Sequence, residues 1–87
     1  PVEASKKALD KAGITMKDVS VVEINEAFAS QSVACMKELG IDADKANKHG
    51  GAIALGHPLG ATGARITGKA AQILSEDGGE YALVTQC

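Results

Sequence analysis

The sequence predicts an α/β domain in which helices are layered on a mixed sheet, and three observations carry that prediction. Two brief strand-like runs, Ser20 to Ile24 and Tyr81 to Thr85, alternate with segments whose apolar residues recur at helical spacing. A glycine-rich stretch stands between the second and third helical segments, with six of the ten glycines lying from Gly50 to Gly68. Hydrophobic residues make up 45% of the chain but aromatics only 2%, so the interior is built from Ala, Val, Ile and Leu. Such side chains suit close packing of helix on sheet.

The first helix is expected from Pro1 to Gly13, with an apolar stripe of Val2, Ala8, Leu9 and Ala12. Proline suits a first helical turn, and glycine suits the position just past the last one. Thr15 and Asp18 have capping-box spacing, enough for one turn. The β-branched run Ser20 to Ile24 reads as a buried strand. A second helix is marked by Phe28, Ser32, Cys35, Met36 and Leu39, and Gly40 ends it. A polar stretch from Asp42 to His49 leads into the glycine-rich segment. A third helix follows, with Ile66, Ala70, Ile73 and Leu74 on its apolar face and Arg65, Lys69, Gln72 and Glu76 on the other. Asp77-Gly78-Gly79 then turns the chain into the last strand.

Composition limits the function classes. The 87 residues allow one domain at most, and a chain of this size buries only about 60–65% of the surface its unfolded form exposes. Nine Lys and Arg against eleven Asp and Glu give a net charge of −2 with interspersed signs, a poor pattern for nucleic acid. No apolar run approaches the roughly 18 residues of a membrane span. Cys35 and Cys87 are far apart, with no C-x-x-C pair, so neither a disulfide framework nor a metal site is expected. A reducing, cytoplasmic setting fits this usage. The chain starts without Met and stops after a strand, and the reading is of a domain incomplete at both ends.

In open α/β sheets, chemistry gathers beyond the strand ends, which places Asn25, the loop around His57, and Cys87 in one candidate site. His57 lies between Gly56 and Pro58, in a loop whose backbone composition favours a fixed imidazole. Such an imidazole activates a thiol or stabilises a developing oxyanion. Its alternative is a satisfied structural histidine. Asn25 follows the first strand, where an ordinary N-cap competes with a role in holding a water or an imidazole. Gly60 and Gly63 offer a helix N-terminus to a phosphate, but the segment lacks both common nucleotide-binding glycine patterns. Cys35 is expected to pack in the core, and His49 to sit at the surface.

Taken together, Asn25-Glu26-Ala27-Phe28, the run from Gly50 to Arg65 containing Gly-His-Pro-Leu-Gly-Ala-Thr-Gly, and a strand ending in Cys87 resemble the thiolases. Their C-terminal halves carry an N-E-A-F loop, a G-H-P-[IL]-G-A-[ST]-G loop and a C-x-G loop in this order. The resemblance covers nearly the whole chain, read as one partial thiolase C-terminal domain over residues 1–87. It implies acyl transfer between coenzyme A and an enzyme cysteine within a five-layered αβαβα enzyme. It further implies that His57 activates the nucleophile and contributes to an oxyanion hole completed by a water on Asn25. Cys87 would be the acid/base thiol at the substrate α-carbon, and Ala27 and Phe28 would lie near the acyl end. The implied partners are an acyl-CoA substrate, the N-terminal half of a thiolase, and further copies in a homodimer or tetramer. Coenzyme A thioesters enter as substrates, with no separate cofactor.

Three departures stand beside that resemblance. The nucleophilic cysteine belongs to the N-terminal half, the C-x-G loop stops at its cysteine, and His49 occupies a position usually held by Asn or Ser. Activity of these residues alone is therefore not expected. Two rival readings are a decarboxylating β-ketoacyl synthase, against which the Cys87 thiol speaks, and a non-catalytic interaction half domain.

Overall fold

The computed structural model describes all 87 residues. Its regular elements are α1 (Val2–Ala12), β1 (Val19–Ile24), α2 (Ala29–Leu39), α3 (Ala52–Leu55), α4 (Thr62–Asp77) and β2 (Tyr81–Thr85). Short 3-10 turns at Met16–Asp18 and Ala43–Lys45 join them. The strands pair in parallel, with Val22 opposite Leu83 and Ile24 opposite Thr85. Of the mixed sheet expected, these residues supply this one parallel pairing. A parallel pair requires a long crossover, and here it contains α2, α3 and α4.

Helices cover both faces of the sheet. On one face Val19 and Val22 of β1 and Leu83 of β2 pack with Ile41, and Leu9, Met36 and Leu39 close over them. On the other face Val21 packs against Ala70 and Ile73 of α4, flanked by Leu74, Ala82 and Val84. Strand side chains alternate between faces, so this second face of β1 reads Val21, Glu23, Asn25 towards its C-terminal end. Because α4 precedes a strand parallel to β1, it runs back along the sheet and starts at the end where β1 and β2 finish.

Local sequence explains the boundaries. Gly13, Gly40 and Gly78 all sit in the left-handed region at the ends of α1, α2 and α4, with φ of 71°, 65° and 77°. Glycine adopts that conformation without the clash of a Cβ. Asp18 accepts the Thr15 backbone N–H at 2.8 Å and the Thr15 hydroxyl at 3.2 Å, so the expected capping interaction stabilises the turn before β1. The strand Tyr81–Thr85 and the buried stripe Ile66, Ala70, Ile73 agree with the sequence reading.

Three expectations are corrected. The buried residue of α1 is Ser5, whereas Ala8 and Ala12 are exposed; its hydroxyl donates to Thr85 Oγ1 at 3.1 Å beneath β2. Phe28 is not on the buried face of α2: it occupies the N-cap position and is 73% exposed. Arg65 is not on a solvated face, because Nε, Nη1 and Nη2 are all shielded from solvent and unpartnered. A helical wheel records only where the Cα–Cβ bond points and does not register where a long side chain carries its head.

Candidate functional site

Asn25 is the first residue beyond β1. Its backbone N–H donates to the Thr85 carbonyl at 2.9 Å, which extends the ladder and fixes the residue against the end of β2. The side chain is 1% exposed, and neither its amide oxygen nor its amide nitrogen has a partner. It does not cap α2, whose N-cap is Phe28. An amide buried without hydrogen bonds is costly, and such groups in folded proteins call for a specific explanation.

The next residue, Glu26, reaches across to the glycine loop. Its Oε1 accepts the Ile53 N–H at 3.0 Å, in the first turn of α3. Gly51 is required at this approach, since a Cβ there would collide with the Glu26 carboxylate and come within 2.6 Å of Asn47 Nδ2. Asn47 pairs its side-chain amide with the Ile24 backbone, accepting from N–H and donating to C=O, both at 2.9 Å. With Asn47 N–H donating to Val22 C=O, this segment lines the edge of β1 much as a strand would. Sequence reading gave neither of these two residues a role. Glu26 was legible as a motif member, whereas Asn47 sat in a stretch read only as polar loop.

His57 follows Gly56, whose φ of 101° turns the chain out of α3. The imidazole Nδ1 lies 2.6 Å from Thr62 Oγ1, and Thr62 donates its hydroxyl hydrogen to the Pro58 carbonyl at 3.2 Å. A hydroxyl has one hydrogen, so with that hydrogen on Pro58 the Thr62 oxygen accepts from His57 Nδ1–H. This balance leaves Nε2 as the basic nitrogen. Thr62 itself is buried in the first turn of α4.

Cys87 lies two residues beyond β2, exposed, with a free thiol. The start of α4 meets this terminal segment, because a Cβ on Gly63 would lie 3.3 Å from Gln86 Nε2. The fold thus brings the Asn25 loop, the His57 loop and the Cys87 segment to one end of the sheet. No hydrogen bond joins Asn25, His57 and Cys87 to one another. Ala27 and Phe28 are exposed, and Phe28 belongs with Ile53, Leu55 and Leu59 among the large apolar side chains at the surface. Cys35 is buried with the Gln31 amide donating to its sulfur at 3.2 Å, and His49 is exposed, both as expected.

One buried acid was not singled out in the sequence. Glu23, two residues before Asn25 on the same face, is wholly buried with both carboxylate oxygens unpartnered. Burial pushes its carboxyl above the ordinary range; Arg65 and, less strongly, Lys69 oppose the shift, while Glu26 adds to it. The available signal was a lone charge inside a β-branched run covered by helices on both sides. No cluster of metal-ligating side chains occurs, and no helix is long and apolar enough to cross a membrane. A cleft of about 150 Å³ lined by Met16, Val22, Ile41 and Lys45 lies apart from the site residues.

The family model described as "Thiolase, C-terminal domain" matches residues 1–87. A beta-ketothiolase of Cupriavidus necator is 54% identical over 87 residues, covering 100% of this chain and 22% of its own length. A 3-ketoacyl-CoA thiolase of Vibrio cholerae is 51% identical over 90 residues, covering 100% of this chain and 23% of its own length. Among solved structures, human mitochondrial 3-ketoacyl-CoA thiolase in complex with CoA superposes with a TM-score of 0.97 at 50% identity, across 100% of this chain and 22% of that one. The acetyl-CoA acetyltransferase of Bacillus anthracis gives a TM-score of 0.96 at 42% identity, with the same coverage. The chain therefore spans less than a quarter of the length of the relatives it matches.

Proposed function

The chain belongs to the thiolase family, matching its C-terminal domain, and from this premise we propose that its residues supply half of a thiolase active site. The reaction is acyl transfer: condensation of two acetyl-CoA molecules to acetoacetyl-CoA, or the thiolytic cleavage of a 3-ketoacyl-CoA. The observation that carries this reading is Asn25, an amide wholly withdrawn from bulk solvent with its hydrogen-bonding capacity unused at the sheet end where His57 and Cys87 are also placed.

In this reading the nucleophilic cysteine comes from the N-terminal half, outside these 87 residues, and His57 Nε2 takes its proton. The thiolate forms a bond to the thioester carbonyl carbon, the carbon–sulfur bond to coenzyme A breaks, and the departing thiolate receives the proton from His57. A water on the Asn25 amide and the protonated imidazole face the carbonyl oxygen, whose negative charge they stabilise as it develops. For condensation, the Cys87 thiolate removes a proton from the α-carbon of a second acetyl-CoA. The resulting carbanion bonds to the acyl carbon and releases the nucleophilic cysteine. Ala27 and Phe28 border the acyl end of the substrate. Coenzyme A thioesters are substrates here, and the scheme uses no further cofactor.

The same proposal covers assembly as a homodimer or tetramer and a cytoplasmic location, where two free cysteines remain reduced. The test is substitution in the complete enzyme. His57→Ala should abolish acyl-enzyme formation, a loss of about 10²- to 10⁴-fold for a removed general base. Cys87→Ala should spare acylation and block condensation. Retention of both steps in both variants would refute the roles assigned.

A further inference from the structure

Helix α3 leads into His57, yet its own residues do little to hold it. It is a single turn, Ala52–Leu55, far too short to be stable by itself in water. Packing adds little, because Ala52 is its one buried residue while Ile53 and Leu55 are exposed. Its N-cap is Gly51, which has no side chain to accept a free N–H of the first turn.

The missing acceptor comes from just beyond β1. Glu26 Oε1 accepts the Ile53 N–H at 3.0 Å, and Ile53 is the second residue of the turn, where an N-cap side chain would ordinarily bond. The carboxylate occupies the place of the side chain that Gly51 lacks, since a Cβ there would collide with Glu26 Oε1 and Cδ. An ionised oxygen is a stronger acceptor for such an N–H than a hydroxyl or an amide. Upstream of α3, Asn47 ties the same segment to the Ile24 backbone. Downstream, His57 bonds Thr62 of α4. The loop is therefore held to β1 where it enters and to α4 where it leaves.

We propose that Glu26 is a positioning residue that caps α3 from the end of β1 and thereby fixes the His57 imidazole relative to Asn25. Glu26 follows Asn25 directly, so one dipeptide places the amide and anchors the turn that carries the imidazole. It acts through α3 and not on the substrate. Gly51 belongs to the same device, because a cap supplied from β1 needs a residue without a Cβ at the N-cap. The proposal rests on the thiolase reading of the site above.

The test compares Glu26→Ala and Glu26→Gln in the complete enzyme, with two readouts. The first is hydrogen exchange of the segment from Gly51 to Gly56, followed by mass spectrometry, which reports the cap whatever the chemistry. The second is the acylation rate per active site, titrated by acyl-enzyme burst. Glu26→Ala should speed exchange about 10-fold, as loss of a bond to a charged acceptor implies, and should slow acylation about 10- to 100-fold with KM changed little. Glu26→Gln keeps an acceptor oxygen on an arm of the same length, so both readouts should return to within about threefold of wild type. Should the alanine variant not fold, Glu26→Asp shortens the arm and should shift both readouts in the same direction. Unchanged exchange would overturn the cap, and faster exchange with normal acylation per active site would overturn its role in placing His57. A glutamine variant as slow as alanine would also overturn the proposal, since the charge and not the acceptor would then matter. His57→Ala serves as the control: if acylation survives in that variant, the thiolase reading itself fails, whereas an inactive His57→Ala beside normal Glu26 variants removes this proposal alone.

Discussion

The two faces of β1 are built on opposite plans. The face turned towards Leu9, Met36 and Ile41 is an apolar seam in which Val19, Val22 and Leu83 satisfy one another. The face turned towards α4 begins in the same way at Val21 and then buries an acid and an amide, neither with a hydrogen-bond partner. One strand thus divides two tasks between alternating side chains: its outer core residues stabilise the domain, and Glu23 and Asn25 draw on that stability. Buried polar groups left unmatched are tolerated only where the surrounding packing fixes them.

Substitutions at the two faces should therefore differ in kind. The largest effect on stability is expected from Ile24→Ala, since Ile24 is 1% exposed and its truncation leaves a cavity. A loss of about 2–5 kcal/mol follows from comparable core truncations. The denaturation midpoint should fall while acylation per folded active site changes little. Gly51→Ala should come next, because its methyl group meets Glu26 and Asn47. Overpacking of about 1–3 kcal/mol is expected, and here a shift of the His57 loop should also lower the acylation rate. Thermal unfolding and burst kinetics on the same sample would register both losses together.

A smaller and more selective effect is expected at Thr62. Thr62→Val keeps the shape but removes the acceptor for His57 Nδ1–H, so acylation should fall about 10-fold through loss of the fixed tautomer. Thr62→Ser should restore it, and failure of serine to do so would separate the effect from the hydroxyl. At the bottom of the scale is the exposed ion pair of Lys48 with Asp77, at 2.6 Å. Lys48→Ala should change stability by no more than about 0.5–1 kcal/mol, the usual range for surface pairs, and acylation not at all.

Much of this arrangement was legible in the sequence, for reasons specific to each element. Helix α4 and strand β2 announced themselves because Ile66, Ala70 and Ile73 recur at helical spacing and Tyr81 to Thr85 is bounded by a Gly-Gly turn. The helix ends followed from glycine at left-handed positions, a local requirement independent of tertiary packing. Arg65 was misplaced because it shares its helical side with Lys69, and helical spacing alone does not register where a long side chain places its head. Phe28 was misplaced because an apolar residue at helical spacing suggests a core, whereas here it stands at the N-cap and faces solvent. Asn47 left no periodic trace, since it satisfies Ile24 through a side chain acting in place of a strand backbone. Asn25, His57 and Cys87 came from their flanking motifs. Their arrival at one end of the sheet follows from the parallel pairing and the direction of α4.

The central claim is that Asn25, His57 and Cys87 face one substrate. The most direct measurement is a crystal structure of the complete enzyme in complex with acetyl-CoA, trapped with Cys87→Ala and compared with the unliganded wild-type enzyme. The account predicts the thioester oxygen within hydrogen-bond reach of His57 Nε2 and of a water on the Asn25 amide, with its methyl group directed at residue 87. A thioester bound away from the Asn25 amide, or an Nε2 turned from it, would contradict the account.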